Sequence, residues 1–141
     1  LAHPMGWNSV KDTPVTLKYA EAVRKSGAKV VTAPVGGYQY PDLCEEFIAS
    51  GKTDMLGMAR TFICEPEYGR KTAEGRGEDI TPCIRCNKCH GANTIGPWLS
   101  FCSVNPKMGV AHRVNRMVDA PKAPQKVAVI GGGPAGMRAA M

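Results

Sequence analysis

Cys83, Cys86 and Cys89 are spaced C-x2-C-x2-C, and Cys102 follows after twelve intervening residues. Two-residue gaps let one tight loop wrap three thiolates around a single centre, with the intervening backbone N–H groups free to hydrogen-bond to sulfur. Four thiolates delivered in this way are what a [4Fe-4S] cluster needs. Zinc also accepts four thiolates, and His90 offers a substitute ligand. Structural zinc sites, however, usually come as two separated C-x2-C knuckles rather than one run of three cysteines. Disulfides are the third alternative. They are disfavoured because no basic, apolar, small-residue leader opens the sequence, so a cytoplasmic location is expected, where cysteines bind metal or do redox work.

A second constellation lies upstream. Gly36 and Gly37 follow an apolar run, and Ala59-Arg60 follows the next one. Glycines let backbone N–H groups approach a dianion, and an arginine fork supplies a charge-assisted pair. By themselves these residues read more readily as a glycine turn with a surface arginine.

A third constellation closes the chain. Lys126–Ile130 is an apolar run leading into Gly131-Gly132-Gly133-Pro134-Ala135-Gly136, a G-x-G-x-x-G pattern placed to follow a strand and open a helix. In a dinucleotide-binding turn Gly131 permits the tight bend, Gly133 the approach of a pyrophosphate, and Gly136 the close packing of helix on strand. A generic strand-to-helix turn is the alternative.

The elements that position these groups follow from patterning. Thr13-Pro14 marks a helix start, and that helix is expected to run to about Lys25 with Leu17, Ala20 and Val23 or Arg24 inward, ending at Ser26-Gly27. Lys29–Ala33 and Asp54–Met58 read as short buried strands. Between them Pro41 opens a helix with Leu43, Cys44, Phe47 and Ile48 on one face, which makes Cys44 a core residue, and Gly51 closes it. A third helical stretch is expected from about Glu65 to Glu74. The strand-loop-helix rhythm is that of a parallel sheet, and glycines after one strand with arginine after the next favour the end of a (β/α)8 barrel. The expected organisation is residues 1–80 as the barrel end, 81–117 as the cysteine segment, 118–125 (VDAPKAPQ) as a linker and 126–141 as the opening of a further domain.

Composition indicates neither disorder nor membrane insertion, with 43% hydrophobic and 21% charged residues in 141. The net charge of +6 is shared among scattered residues such as Arg85, Lys88, Lys107, Arg113 and Arg116, with no aromatic-interleaved basic stripe, so no nucleic-acid partner is expected. The chain starts at Leu1 and stops at Met141 inside a helical pattern, and it reads as an internal piece of a longer protein. Two strands of a barrel leave edges uncovered, so the isolated piece is expected to be neither stable nor active.

Taken in order, VGGY…GKTDMLGMARTFICEPE, CIRCNKC…CSVNP and KVAVIGGGPAGMRAA resemble the iron–sulfur flavoenzymes of the old yellow enzyme family. That family includes dienoyl-CoA reductases, enoate reductases, bile-acid NADH:flavin oxidoreductases and trimethylamine dehydrogenase. The two-residue gap between Cys86 and Cys89 is shared with trimethylamine dehydrogenase and is one residue shorter than in the dienoyl-CoA reductases, which leaves the subgroup open.

The resemblance implies a TIM barrel holding FMN, a [4Fe-4S] cluster at its edge, and a Rossmann-like domain for FAD and NAD(P)H. It assigns Gly36, Gly37, Ala59 and Arg60 to the FMN phosphate. Cys83, Cys86, Cys89 and Cys102 ligate the cluster, and Gly131, Gly133, Pro134, Ala135 and Gly136 lie against the FAD pyrophosphate. Electrons would pass from NAD(P)H to FAD, through [4Fe-4S] to FMN, and on to the C=C bond of a small enone or enoyl substrate. An amine dehydrogenase running the relay outward and a zinc-stabilised binding module without redox chemistry are the alternatives. No catalytic residue is assigned.

Overall fold

The computed structural model describes residues 14–89, 101–117 and 123–141. They fall in two compact units, Leu1–Val110 and Ala111–Met141.

In the first unit, helix α1 spans Leu17–Lys25 and buries Leu17 and Ala20, while Val23 and Arg24 face outward. Thr13 lies outside the described residues. Pro14 supplies the first turn through its carbonyl, which accepts the Leu17 N–H at 3.1 Å, and Thr16 takes the cap position. The Thr16 hydroxyl does not cap the helix; it pairs with the Tyr38 phenol at 3.1 Å. A buried phenol needs a partner, and that need outweighs a local cap.

Helix α2, Pro41–Ala49, starts on its proline and buries Cys44 and Phe47. Cys44 is a core residue as expected, whereas Ile48 is 40% exposed. Leu17, Tyr38, Cys44 and Phe47 form the core, with Leu43, Leu56 and Met58 packed on it and the Tyr38 and Phe47 rings edge to face at 6.3 Å. The core therefore sits directly beneath the glycine loop that ends in Tyr38.

The expected strands are only partly formed. Lys29–Ala33 and Asp54–Met58 run parallel: Thr32 O accepts from Asp54 and Met55 N–H at 3.3 and 3.2 Å, Pro34 O accepts from Gly57 N–H at 2.9 Å, and Val35 bridges Gly57. Neither segment extends into a ladder. A parallel strand is stable when it is flanked and covered on both faces. Here Val30, Val31 and Met55 are 57%, 70% and 52% exposed.

Asp54 ties this pair together. Its Oδ2 accepts from the Thr32 N–H and hydroxyl, both at 2.8 Å, and Oδ1 pairs with Arg24, whose Nε also reaches Gly51 O at 2.7 Å. The Thr32 N–H first, then its hydroxyl and Arg24, hold the Asp54 carboxyl below the usual carboxylate range. A depressed folded-state pKa stabilises the fold above the unfolded value, about 3.9, and the contribution disappears as pH falls through the lower folded value. Thermal melts of the intact protein are thus expected to lose stability more steeply below about pH 4 than melts of Asp54→Asn. Identical slopes would remove this carboxylate from the account.

The helix expected from about Glu65 to Glu74 is α4 (Tyr68–Ala73), and a short helix that was not expected, α3 (Arg60–Cys64), precedes it; a 3-10 turn follows at Gly77–Asp79. Pro66 makes the break, because the residue before a proline is pushed out of the helical region. Glu65 accordingly has φ −130° and ψ 86°.

In the second unit, helix α5 (Ala111–Met117) falls where no periodicity was legible, and α6 (Pro134–Ala140) follows the glycine turn. The apolar run 126–130 has no paired neighbour among the described residues and forms no strand, with Val127 and Ile130 78% and 98% exposed. The expected linker 118–125 lies largely outside the described residues. No helix among the described residues is long and apolar enough to cross a membrane.

Candidate cofactor sites

The glycine loop leaves the parallel pair with both glycines in the left-handed half of backbone space, Gly36 at φ 117° and Gly37 at φ 88°. A Cβ built on Gly36 meets nothing within 4 Å, so its open side is free for a ligand. Buried Tyr38 anchors the loop: its carbonyl accepts from the Thr61 hydroxyl at 2.6 Å, which fixes the start of α3 beside it. Ala59 caps α3 and Arg60 is its first residue, so Gly36, Gly37, Ala59 and Arg60 converge on one loop cluster. Backbone donors with an arginine beside them suit a phosphate dianion.

The cysteine loop is docked on that cluster. The Cys83 N–H donates to Oε1 of buried Gln39 at 3.1 Å, and Arg85 Nη2 donates to Gly37 O at 3.1 Å. Arg60 donates to the Asn87 side-chain oxygen, and the Asn105 amide donates to Ile63 O at 2.7 Å. Upstream, the Cys64 sulfur lies 3.4 Å from Thr81 O. Glu65 Oε2 accepts from Thr81 N–H at 3.2 Å and from Lys71 Nζ at 2.7 Å. Gln39, Cys64, Glu65, Asn87 and Asn105 carried no signal in spacing, because each acts across the chain rather than within a motif.

Burial pushes the Glu65 carboxyl up, but Lys71 and the N–H groups of Thr81 and Glu67 overcome it and hold it below the usual range. Breaking a buried pair strands the partner charge. Glu65→Ala is expected to cost about 3 kcal/mol in a denaturation experiment on the intact protein. A change no larger than that of an exposed acid such as Glu46→Ala would refute the role.

Within the loop Arg85 and Asn87 both take left-handed backbone, at φ 56° and 59°. Alternating handedness turns successive N–H groups inward, the geometry of nests that cradle anions, iron–sulfur clusters among them. Consistent with that, the Arg85 N–H points to the Cys83 sulfur and the Lys88 N–H to the Cys86 sulfur. The Cys83 thiol is brought down to about 6, first by the hydrogen bond from Cys64, then by the Arg85 N–H and the charges of Arg60 and Arg85. Cys64, the donor in that pair, is correspondingly pushed up. Cys86 is lowered by its contact with the Ser103 hydroxyl at 3.3 Å and by the Lys88 N–H, while burial raises Cys89.

The thiol groups lie within electrostatic reach of one another. Cys83 acts on Cys86 and Cys89, and Cys102 acts on Cys89 and Cys64. They do not close into a shell: among the described residues no three His, Cys, Asp or Glu side chains form a metal-binding group. Thiolates repel, and a positive centre is what draws them together. An all-thiol donor set supplied with N–H···S contacts fits a cluster. His90 and the rest of residues 90–100 lie outside the described residues.

In the second unit Gly131 has φ 111°, and a Cβ on Gly136 would stand 1.9 Å from the Gly131 carbonyl oxygen. That position admits only glycine. Gly133, by contrast, faces open space, and Pro134 and Ala135 begin α6. The turn fits a pyrophosphate on its open side.

No family model matches the chain. It is 39% identical over 117 residues to an NADH oxidase of Thermoanaerobacter brockii, covering 80% of this chain and 18% of that protein. Similarity to a cinnamate reductase of Clostridium sporogenes is 35% over 130 residues, 88% of this chain and 18% of the relative. A dimethylamine dehydrogenase of Hyphomicrobium sp. matches at 34% over 109 residues, 75% and 15%. A solved 2-naphthoyl-CoA reductase in complex with 2-naphthoyl-CoA superposes with a TM-score of 0.79 at 32% identity over 90% of this chain and 19% of that one. The chain belongs to the iron–sulfur flavoenzymes of the old yellow enzyme family. Members of this family are flavoprotein oxidoreductases, and the chain spans about a fifth of the length of the family members it matches.

Proposed function

We propose that this chain carries the FMN-phosphate loop, the [4Fe-4S] loop and the first FAD-binding turn of an NAD(P)H-dependent reductase. The substrate class would be compounds with an activated C=C bond, of the enoate or enoyl-CoA type. The observation that carries the reading is the docking of the cysteine loop on the glycine loop through Gln39, Arg85 and Arg60. A zinc knuckle needs no such dock beside a phosphate cradle.

The chain's own residues hold and orient. Gly36, Gly37, Ala59 and Arg60 would bind the FMN phosphate at the end of a TIM barrel. Cys83, Cys86, Cys89 and Cys102 would ligate the cluster, and Gly131, Gly133, Pro134, Ala135 and Gly136 would lie against the FAD pyrophosphate in a Rossmann-like domain. When bound, the cluster supplies one-electron transfer between two flavins that each hold two electrons. The inward N–H groups and the Cys64 thiol stabilise negative charge on sulfur, which sets how readily electrons are accepted.

Reductases and the dimethylamine dehydrogenase both appear among the relatives, and the two readings differ in electron direction. Anaerobic mixing of the intact protein with NADH or NADPH is expected to bleach its flavin bands, and cinnamate then to reoxidise it. Bleaching by dimethylamine and not by a nicotinamide would establish the dehydrogenase instead.

A further inference from the structure

Of the six cysteines, four make up the motif and Cys44 belongs to the core. Cys64 has a part in neither. It is the last residue of α3 and is 4% exposed. Its sulfur lies 3.2 Å from Thr61 O in its own helix and 3.4 Å from Thr81 O, two residues before Cys83. The neighbouring Glu65 carboxylate accepts from the Thr81 N–H at 3.2 Å, so residues 64 and 65 hold the chain just where it enters the cysteine loop. The Cys64 and Cys83 sulfurs share a hydrogen bond, and the charge of Cys102 also reaches Cys64.

A thiol has one proton to give. Three acceptors surround this one: the Thr61 carbonyl, the Thr81 carbonyl and the Cys83 sulfur. Bonding back to the carbonyl three residues earlier is the local choice, open to any such side chain in the last turn of a helix. A ligating thiolate changes the competition, because hydrogen bonds to an ionised acceptor are roughly twice as strong as neutral ones. Burial at Cys64 keeps water from taking the place of the donor. A sulfur that binds a cluster has no proton of its own, so the proton between the two sulfurs is the one on Cys64.

We propose that Cys64 is a positioning residue of the cluster: its thiol donates an S–H···S hydrogen bond to Cys83, fixes that ligand against the end of α3 and raises the reduction potential of the cluster. The proposal rests on the [4Fe-4S] reading of the four motif cysteines. A donor to cluster sulfur spreads negative charge, which favours the form that carries one more electron. Helix α3 then serves two sites, with Arg60 at its first residue beside the glycine loop and Cys64 at its last against Cys83.

The test is an anaerobic redox titration of the intact protein, followed by EPR, in wild type, Cys64→Ala and Cys64→Ser, with iron counted in each. Alanine removes the donor and serine keeps one. Cys64→Ala is expected to hold wild-type iron and to shift the one-electron reduction equilibrium about fivefold toward the oxidised form. Cys64→Ser is expected to stay within about twofold of wild type. Should Cys64→Ala fail to hold the cluster, Cys64→Val and Cys64→Thr, alike in shape and different in the donor, replace it, and valine is expected to have the lower potential. Equal potentials in wild type and Cys64→Ala, an equal fall in the alanine and serine variants, or equal potentials in the valine and threonine variants overturn the proposal, because packing alone then accounts for Cys64. Wild-type protein with neither iron nor the EPR signal of a reduced cluster sinks the cluster reading itself.

Discussion

Cys83→Ser, Cys86→Ser, Cys89→Ser and Cys102→Ser, each made in the intact protein, are expected to take iron from about four per chain to little or none and to abolish nicotinamide-driven turnover. A serine oxygen is a hard, weakly coordinating replacement for a thiolate, and even second-sphere partners of such ligands cost about 10–100-fold when removed. Cys44 supplies the control. It is buried at 8% exposure in one cluster with Leu17, Tyr38 and Phe47, and its thiol is pushed up by burial. Cys44→Ala is therefore expected to reduce stability and to leave iron at the wild-type level. Four serine variants that retain iron and sulfide would break the assignment of the cluster to these residues. Equal iron loss in Cys44→Ala would show that the readout reports folding and not ligation.

The second large effect is in the glycine turn of the other unit, where two alanine substitutions are expected to fail for different reasons. A Cβ on Gly136 would collide with the Gly131 carbonyl at 1.9 Å, and backbone cannot yield as a flexible side chain does. Gly136→Ala is expected to disrupt the turn itself, raising hydrogen exchange over residues 126–141 along with the loss of FAD. A Cβ on Gly133 meets nothing within 4 Å, so Gly133→Ala should leave exchange as in wild type. It should still lose FAD, because the methyl occupies the space where the pyrophosphate backbone approaches. Both variants are expected to fall from about one FAD per chain to below about 0.1 after gel filtration. Full FAD retention by Gly133→Ala would mean that this turn is a generic strand-to-helix connection.

What was legible in the sequence was local. C-x2-C-x2-C, G-x-G-x-x-G and the helix punctuation at Pro41 and Gly27 each follow from chemistry acting within a few residues; the structure starts α2 on Pro41 and ends α1 just before left-handed Gly27. The helix expected over 65–74 is present as α4 but starts three residues later, because Pro66 holds Glu65 out of the helical region, and the short α3 before it was missed. Helix α5 was missed because none of its residues is buried, and a helix without an apolar face leaves no periodic trace.

The strands were overstated for a different reason. The β-branched run at Val30-Val31 signals a wish to be buried in a sheet, yet sheet formation depends on neighbours that no local pattern specifies. The site was half legible. Each motif named its own residues, but the dock between them, Gln39 to Cys83, Arg85 to Gly37 and Arg60 to Asn87, joins positions 27 to 48 residues apart. Only the fold brings these together.

The central claim is that the cysteine loop holds a [4Fe-4S] cluster beside a flavin-phosphate cradle. The most direct test is iron, zinc and acid-labile sulfide analysis of the anaerobically purified intact protein, together with its Mössbauer spectrum. The account predicts about four iron and four sulfide per chain, with the spectrum of a cubane cluster. About one zinc per chain with neither iron nor sulfide would contradict it, leaving a thiolate knuckle with no part in electron transfer.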